Sequence, residues 1–295
     1  MSQSTNEPLS RSTSMLDTIT FIGAGVMAEA MIGGLLDKKL VAPDHIAATG
    51  PREKRRAELE ARYHIRTTAD NRAAACASDI IVLCLKPQML ARVLPEMHGA
   101  LRADQFIISI AAGGRLAMIA EGLANPAVVR AMPNTPAQIG EGLTVWTATP
   151  SVTDAQREQT RAIFQALGKE IFVDDEKYLD MATAVSGTGP TYVFLVLEAL
   201  IDAAVHLGFP RHLAHDIVVE TMRGSILYAQ QSNKHPAELR NMVTSPGGTS
   251  AEAIYQMEKG TLRTVLSKAV WAAYQKSRLL GESVGKAEPR KPVDA

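Results

Sequence analysis

The chain predicts an α/β domain built on a mostly parallel sheet, followed by an all-helical domain. Three observations carry that expectation. Short apolar runs alternate with helical spacing from Thr18 to about Asp174, several of those runs are apolar on both faces, and the β pattern stops after Lys177. A length of 295 residues suits two domains of roughly 100–200 residues each.

The candidate strands are Thr18–Ile22, His45–Thr49, Asp79–Leu85, Gln105–Ile110, Ala127–Met132, Leu143–Thr147 and Glu170–Val173. DIIVLCL and FIISI have no polar face, as expected where helices cover both sides of a sheet. Helical spacing fills Arg52–Arg62, Pro87–Met97 and Thr153–Leu167, the last opened by a capping box of Thr153 and Gln156. Helices are then expected at Tyr178–Ser186, Pro190–Leu207, Pro210–Gln231, Pro236–Val243, Ser250–Glu258 and Leu262–Leu280, punctuated at Gly187–Pro190 and Gly208–Pro210. The expected boundaries are a loose tail at 1–15, a nucleotide domain at 16–176, a helical domain at 177–283 and a second tail at 284–295. Val193, Val196, Leu197, Leu200, Ile201 and Ala204 wrap more than one face of their helix, which calls for association of two or more chains.

Lys plus Arg and Asp plus Glu each total 31, so no net charge points to nucleic acid or an anionic membrane. Two cysteines build no disulfide scaffold and suit a reducing, cytoplasmic compartment. Residues 1–15 have no apolar core of a signal peptide. Stretches such as Val193–Ile201 are broken by charge short of the roughly 20 residues that cross a bilayer. The histidines have no Cys or acidic cluster beside them, so no metal site is expected.

Gly23-Ala24-Gly25-Val26-Met27-Ala28 follows the first strand and opens a helix, the GxGxxA arrangement of a dinucleotide turn. Gly23 permits the tight turn, Gly25 close approach of a pyrophosphate, and Ala28 close helix–sheet packing. The first domain is therefore expected to be of Rossmann type. The second strand runs into Thr49-Gly50-Pro51-Arg52 without the carboxylate that holds an NAD ribose, and Lys54, Arg55 and Arg56 follow. That favours NADPH, with NADH as the alternative; a solvated helix face is the plainer reading of Lys54–Arg56.

Leu85-Lys86-Pro87, Ala112-Gly113-Gly114 and Met132-Pro133-Asn134 each follow a strand, where open α/β sheets bind ligands. Each alone reads equally as a rigid loop. In the second half, Ser245-Pro246-Gly247-Gly248-Thr249-Ser250 ends one helix and opens another. Its glycines, helix-start N–H groups and hydroxyls form a receptor for a small carboxylate, or else a capped corner.

GAGVMAEA, LKPQ, ISIAAG, RAMPNTP, VSGTGPTYVF and SPGGTSAEAI, in this order, resemble pyrroline-5-carboxylate reductase over about residues 18–281. The resemblance implies reduction of L-Δ1-pyrroline-5-carboxylate to proline with NAD(P)H. It also implies a helical domain forming an intertwined homodimer, with dimers gathering into decamers (a pentamer of dimers). By this resemblance Gly23, Ala24, Gly25, Val26 and Met27 hold the pyrophosphate. Leu85, Lys86, Pro87, Ala112 and Gly113 edge the cofactor cleft, with Met132, Pro133 and Asn134 near the nicotinamide and the substrate ring. Ser245, Gly247, Gly248, Thr249 and Ser250 receive the carboxylate, and Val185, Gly187 and Gly189 line the pocket. Leu85, Thr188 and Ser250 replace the family's commoner valine, serine and threonine, and Gly50-Pro51-Arg52 departs from its usual strand end.

A cyclic imine is protonated before it binds, so the implied reaction demands no dedicated acid; Thr249 or Ser250 orients the ring nitrogen, and Lys86 reads as a cofactor contact. A hydroxyacid dehydrogenase of similar architecture is disfavoured, because Gly187–Leu200 contains no Lys or His and its one charged group is Glu198. A non-catalytic NADP-binding scaffold has no need of the anion receptor.

Overall fold

The computed structural model describes residues 16–284. The tails expected at 1–15 and beyond Val284 lie outside the described residues. Eight strands, β1 (Ile19–Ile22), β2 (Ile46–Thr49), β3 (Arg66–Thr68), β4 (Ile80–Leu83), β5 (Phe106–Ser109), β6 (Val128–Met132), β7 (Gly142–Ala148) and β8 (Gly168–Phe172), form one sheet. Its order is β3-β2-β1-β4-β5-β6-β7-β8. Neighbours from β3 to β6 are parallel, β7 runs antiparallel to β6, and β8 is parallel to β7. The β1–β4 neighbours mark the topological switch point, beside which open sheets of this kind bind dinucleotides.

Helices α1 (Val26–Asp37), α2 (Glu53–Tyr63), α3 (Asn71–Cys76), α4 (Pro87–Met97), α5 (Leu116–Leu123) and α6 (Asp154–Gln165) alternate with these strands. Successive strand residues point to opposite faces, and both faces are buried. Phe21, Val82 and Ile108 pack in a core with Met31, Ile32, Leu59 and Phe164. Ile81, Leu83 and Ile107 pack in a second core with Leu90, Leu94 and Ile119. Thr153 caps α6 as expected: its hydroxyl accepts the Gln156 N–H at 3.2 Å, and Gln156 Oε1 accepts the Thr153 N–H at 3.0 Å. The edge strand β3 is absent from the expected set, because three polar residues carry no alternation to detect.

α7 (Lys177–Ala182) leads into a π-helical turn at Thr183–Gly187, then α8 (Gly189–His206), α9 (Arg211–Gln231), α10 (Pro236–Met242), α11 (Thr249–Lys259) and α12 (Leu262–Val284). The chain divides into two compact units, one running to Gly187 and resuming at Lys276, the other Thr188–Gln275. The division therefore departs from the expected boundary at 176. α7 stays with the sheet because Leu179 is buried and Arg130 of β6 pairs with Glu176 and Asp180. α12 also runs past its expected end, to Val284.

In the helical unit Ile201 and Ala214 are buried, whereas Leu195 is 65% exposed and Trp271 60%. The run Lys177–His206 is long and apolar enough, by length and composition alone, to cross a membrane, with an 18-residue window of mean hydropathy 1.4. As expected, charge interrupts the stretch, at Glu198 and Asp202, the two charged residues along the 18 residues of α8.

Candidate active site

The turn after β1 takes its shape from Gly23, whose φ of 105° is left-handed. A Cβ at this position would stand 2.6 Å from the Cys84 carbonyl oxygen. Gly25 is the N-cap of α1, and no side chain caps that helix. A Cβ at Gly25 would meet nothing within 4 Å, so the first-turn N–H groups open onto free space at the positive end of the helix. Val26 is exposed and Met27 half-buried beside that space. These residues fit a dinucleotide pyrophosphate.

At the end of β2 the structure divides the basic residues into two kinds. Arg55 Nε donates to the Ala24 carbonyl at 3.0 Å, and the same guanidinium pairs with Glu29. Arg56 Nη1 donates to the Gly50 carbonyl at 2.7 Å. Both are committed to the backbone of the two turns. Arg52, the N-cap of α2, and Lys54 are exposed, with no ion pair or side-chain hydrogen bond among the described residues. Pro51 is exposed beside them. The hydrogen bond from Arg55 holds the Glu29 carboxyl below the usual carboxylate range against the upward push of burial, with Tyr63 and Arg62 adding to it.

Thr49, expected to touch the cofactor, is buried instead. Its hydroxyl accepts the Gly23 N–H at 3.3 Å and donates to Asn71 Oδ1 at 2.6 Å, so it braces the glycine turn from beneath. Lys86 is exposed as the N-cap of α4, Pro87 opens that helix, and Leu85 is half-buried. Burial pushes the Cys84 thiol up, which leaves it an inert core group.

Two further expected site residues have close partners within the chain. Gly113 has a φ of 73° and is buried; a Cβ there would stand 2.6 Å from the Gly281 backbone nitrogen. Close packing on α12 accounts for this glycine, and half-buried Ala112 is left as the loop's side chain at the edge. Asn134 uses both ends of its amide within the chain: Oδ1 accepts the Leu143 N–H at 2.9 Å, and Nδ2 donates to the Ser186 carbonyl at 3.3 Å. It thereby ties the loop after β6 to the π-helical turn. Pro133 is buried. Met132 reaches the same turn, where a Cβ on Gly187 would stand 2.6 Å from its methyl carbon. Val185 is 61% exposed on that turn.

In the helical unit Gly189 opens α8 with nothing within 4 Å of a Cβ. Gly247 takes a left-handed φ of 70°, and Gly248 is the N-cap of α11. The Gly248 N–H donates to the Ser245 carbonyl at 3.0 Å, and a Cβ on Gly248 would stand 2.5 Å from Ser245 Oγ. No side chain caps α11. The hydroxyls of Ser245, Thr249 and Ser250 are therefore not spent on capping this helix. Arg130 and Ser277 were missed by sequence reasoning, whereas Arg55, read as a phosphate partner or a solvated helix face, is bonded to Ala24 and Glu29. A single arginine inside the apolar run VVRAM was the available signal for the first; Ser277 had none.

A groove of about 840 Å³ runs along α1 between Arg62, Tyr63 and Gln138–Gly140, and of the cofactor and substrate residues expected from the sequence it is lined by Val26 alone. Its volume says little about the chemistry of the glycine turn.

Comparison with known proteins places these features in one family. The family model for pyrroline-5-carboxylate reductase dimerisation matches residues 176–280, and that for NADP oxidoreductase, coenzyme F420-dependent, matches residues 18–113. The pyrroline-5-carboxylate reductase of Synechocystis is 40% identical over 261 residues, 88% of this chain and 97% of that protein. The Plasmodium falciparum pyrroline carboxylate reductase, solved with NADP bound, superposes with a TM-score of 0.84 at 30% identity, covering 90% of this chain and 99% of that one. The Coxiella burnetii pyrroline-5-carboxylate reductase gives 0.80 at 34% identity, covering 90% and 98%. The chain belongs to the pyrroline-5-carboxylate reductase family.

Proposed function

We propose that this chain reduces the C=N bond of L-Δ1-pyrroline-5-carboxylate to L-proline, the final step of proline biosynthesis, with NADPH preferred over NADH. The observation that carries the substrate assignment is the uncapped start of α11, where Gly248 leaves the N–H groups of Thr249 and Ser250 without a partner among the described residues. A small carboxylate answers that site chemically, with charge-assisted bonds worth about 1.5–3 kcal/mol each.

NADPH supplies a hydride at the nicotinamide. Gly23, Gly25, Val26 and Met27 bind the pyrophosphate through backbone N–H groups, and Arg52 meets the ribose 2′-phosphate. Lys86 and Pro87 bound the cleft, and Ala112, Met132 and Pro133 shape the nicotinamide edge. Ser245, Thr249 and Ser250 hold the carboxylate and orient the ring nitrogen. The imine enters already protonated, so positioning is the main task of the protein.

Exposed apolar side chains on α8, α9 and α12 are covered by a second copy in a homodimer, the role named in the family model that spans them. Assembly of dimers into a pentamer of dimers is an extension of that reading. The free thiols of Cys76 and Cys84 suit a cytoplasmic enzyme. Steady-state kinetics with each nicotinamide tests the assignment: consumption of NADPH matched by proline supports it, and no turnover with either donor overturns it.

A further inference from the structure

Two loops stand at the sheet edge assigned above to the nicotinamide, Ala112–Gly113 after β5 and Met132–Asn134 after β6. Neither is held by its own strand alone. Arg130 lies on β6 two residues before Met132, its side chain 3% exposed. Its Nη1 donates to Glu176 Oε1 at 2.9 Å and its Nη2 to Asp180 Oδ1 at 2.7 Å. Glu176 Oε1 also accepts the N–H of Leu116 at 2.8 Å, which fixes the start of α5 directly behind the Ala112–Gly113 loop.

The cluster extends to the other end of the chain. Ser277, buried on α12, donates its hydroxyl to Asp180 Oδ1 at 3.1 Å. One turn further on, Gly281 lies backbone to backbone against Gly113: a Cβ on Gly281 would stand 3.0 Å from the Gly113 carbonyl oxygen. The end of α12 therefore reaches both loops, one through buried charge and the other through a backbone contact that admits no side chain on Gly113.

We propose that the end of α12 is a positioning element for the nicotinamide edge, with Arg130 and Ser277 as positioning residues that act through the two loops. This rests on the functional reading above. A guanidinium spans two carboxylates with a rigid fork, which a lysine's single ammonium does not reproduce. Removing one member leaves buried charge uncompensated and frees the loops to shift. Hydride transfer is the step most sensitive to such a shift, since a misplacement of about 1 Å costs on the order of 100-fold in rate.

The test uses the full chain with Arg130→Lys and Ser277→Ala. The ligands are NADPH with the imine, for turnover, and 2′,5′-ADP, which reaches the glycine turn but has no nicotinamide. In Arg130→Lys kcat falls about tenfold or more, and in Ser277→Ala by a smaller factor, while the Kd for 2′,5′-ADP stays within about twofold. Ser277→Ala retains both ion pairs and decides the matter by itself if Arg130→Lys does not fold. Unchanged kcat in the folded variants, or loss of 2′,5′-ADP affinity in step with kcat, overturns the proposal. Wild-type turnover is measured first and tests the functional reading alone, so the two failures are distinguishable.

Discussion

Arg55 Nε donates to the Ala24 carbonyl oxygen at 3.0 Å, so this carbonyl, which points away from the Gly25 N–H across a trans peptide bond, is held by the protein itself. A Cβ on Gly25 would meet nothing within 4 Å, so the space beside the turn is open. On the functional reading proposed above, the arginine holds the backbone of the glycine turn in place for the pyrophosphate. Arg52 has no such backbone commitment and stays available to a 2′-phosphate.

The two arginines should therefore separate in a binding titration. Arg55→Ala weakens NADPH and NADH together, by about tenfold. Arg52→Ala weakens NADPH by about tenfold and leaves NADH within about twofold. Equal losses for the two donors in Arg52→Ala would remove it from the 2′-phosphate site.

Gly248→Val tests the anion receptor. The new side chain starts 2.5 Å from Ser245 Oγ and crowds the start of α11. Imine turnover falls about 100-fold or more, through loss of charge-assisted bonds, while the Kd for NADPH is unchanged. A parallel loss of NADPH affinity contradicts the assignment of separate groups to the two ligands.

Glu29 gives a pH dependence with a definite sign. Its folded-state carboxyl lies below the ordinary 4.5, so its contribution to stability is fully present above that value. The contribution is lost as pH falls through the lowered value. Urea midpoints measured down through this range fall more steeply for the wild type than for Glu29→Gln, which has no such proton to take up. Parallel curves would show that the Arg55–Glu29 pair has no linkage to folding.

Leu195→Glu addresses association. Leu195 is 65% exposed on α8, and a carboxylate there opposes burial against a second copy. Light scattering should give a smaller species than the wild type, with the α/β unit still folded. An unchanged mass would place the interface elsewhere.

Much of this architecture was legible in the sequence because local chemistry and tertiary role coincide. Gly23 and Gly25 sit where a strand meets a helix, Pro87 opens α4, and Thr153 with Gln156 caps α6. The start of α11 was legible for the same reason: its glycines and hydroxyls are adjacent in sequence. What escaped depends on partners far along the chain. The packing of Gly113 on Gly281 and the hydrogen bonds of Asn134 to Leu143 and Ser186 have no local signal. Arg55 and Arg56 resemble their free neighbours until the carbonyls they hold are located. β3 is three polar residues that only their neighbour β2 makes into a strand.

Isotope transfer addresses the central claim most directly. Purified chain is given NADPH carrying deuterium at the transferable C4 position, together with pyrroline-5-carboxylate, and the product is examined by mass spectrometry and NMR. The account predicts proline with a single deuterium on the ring carbon next to nitrogen and away from the carboxyl group. Proline without that label, or labelled cofactor left intact beside unreacted imine, would contradict it.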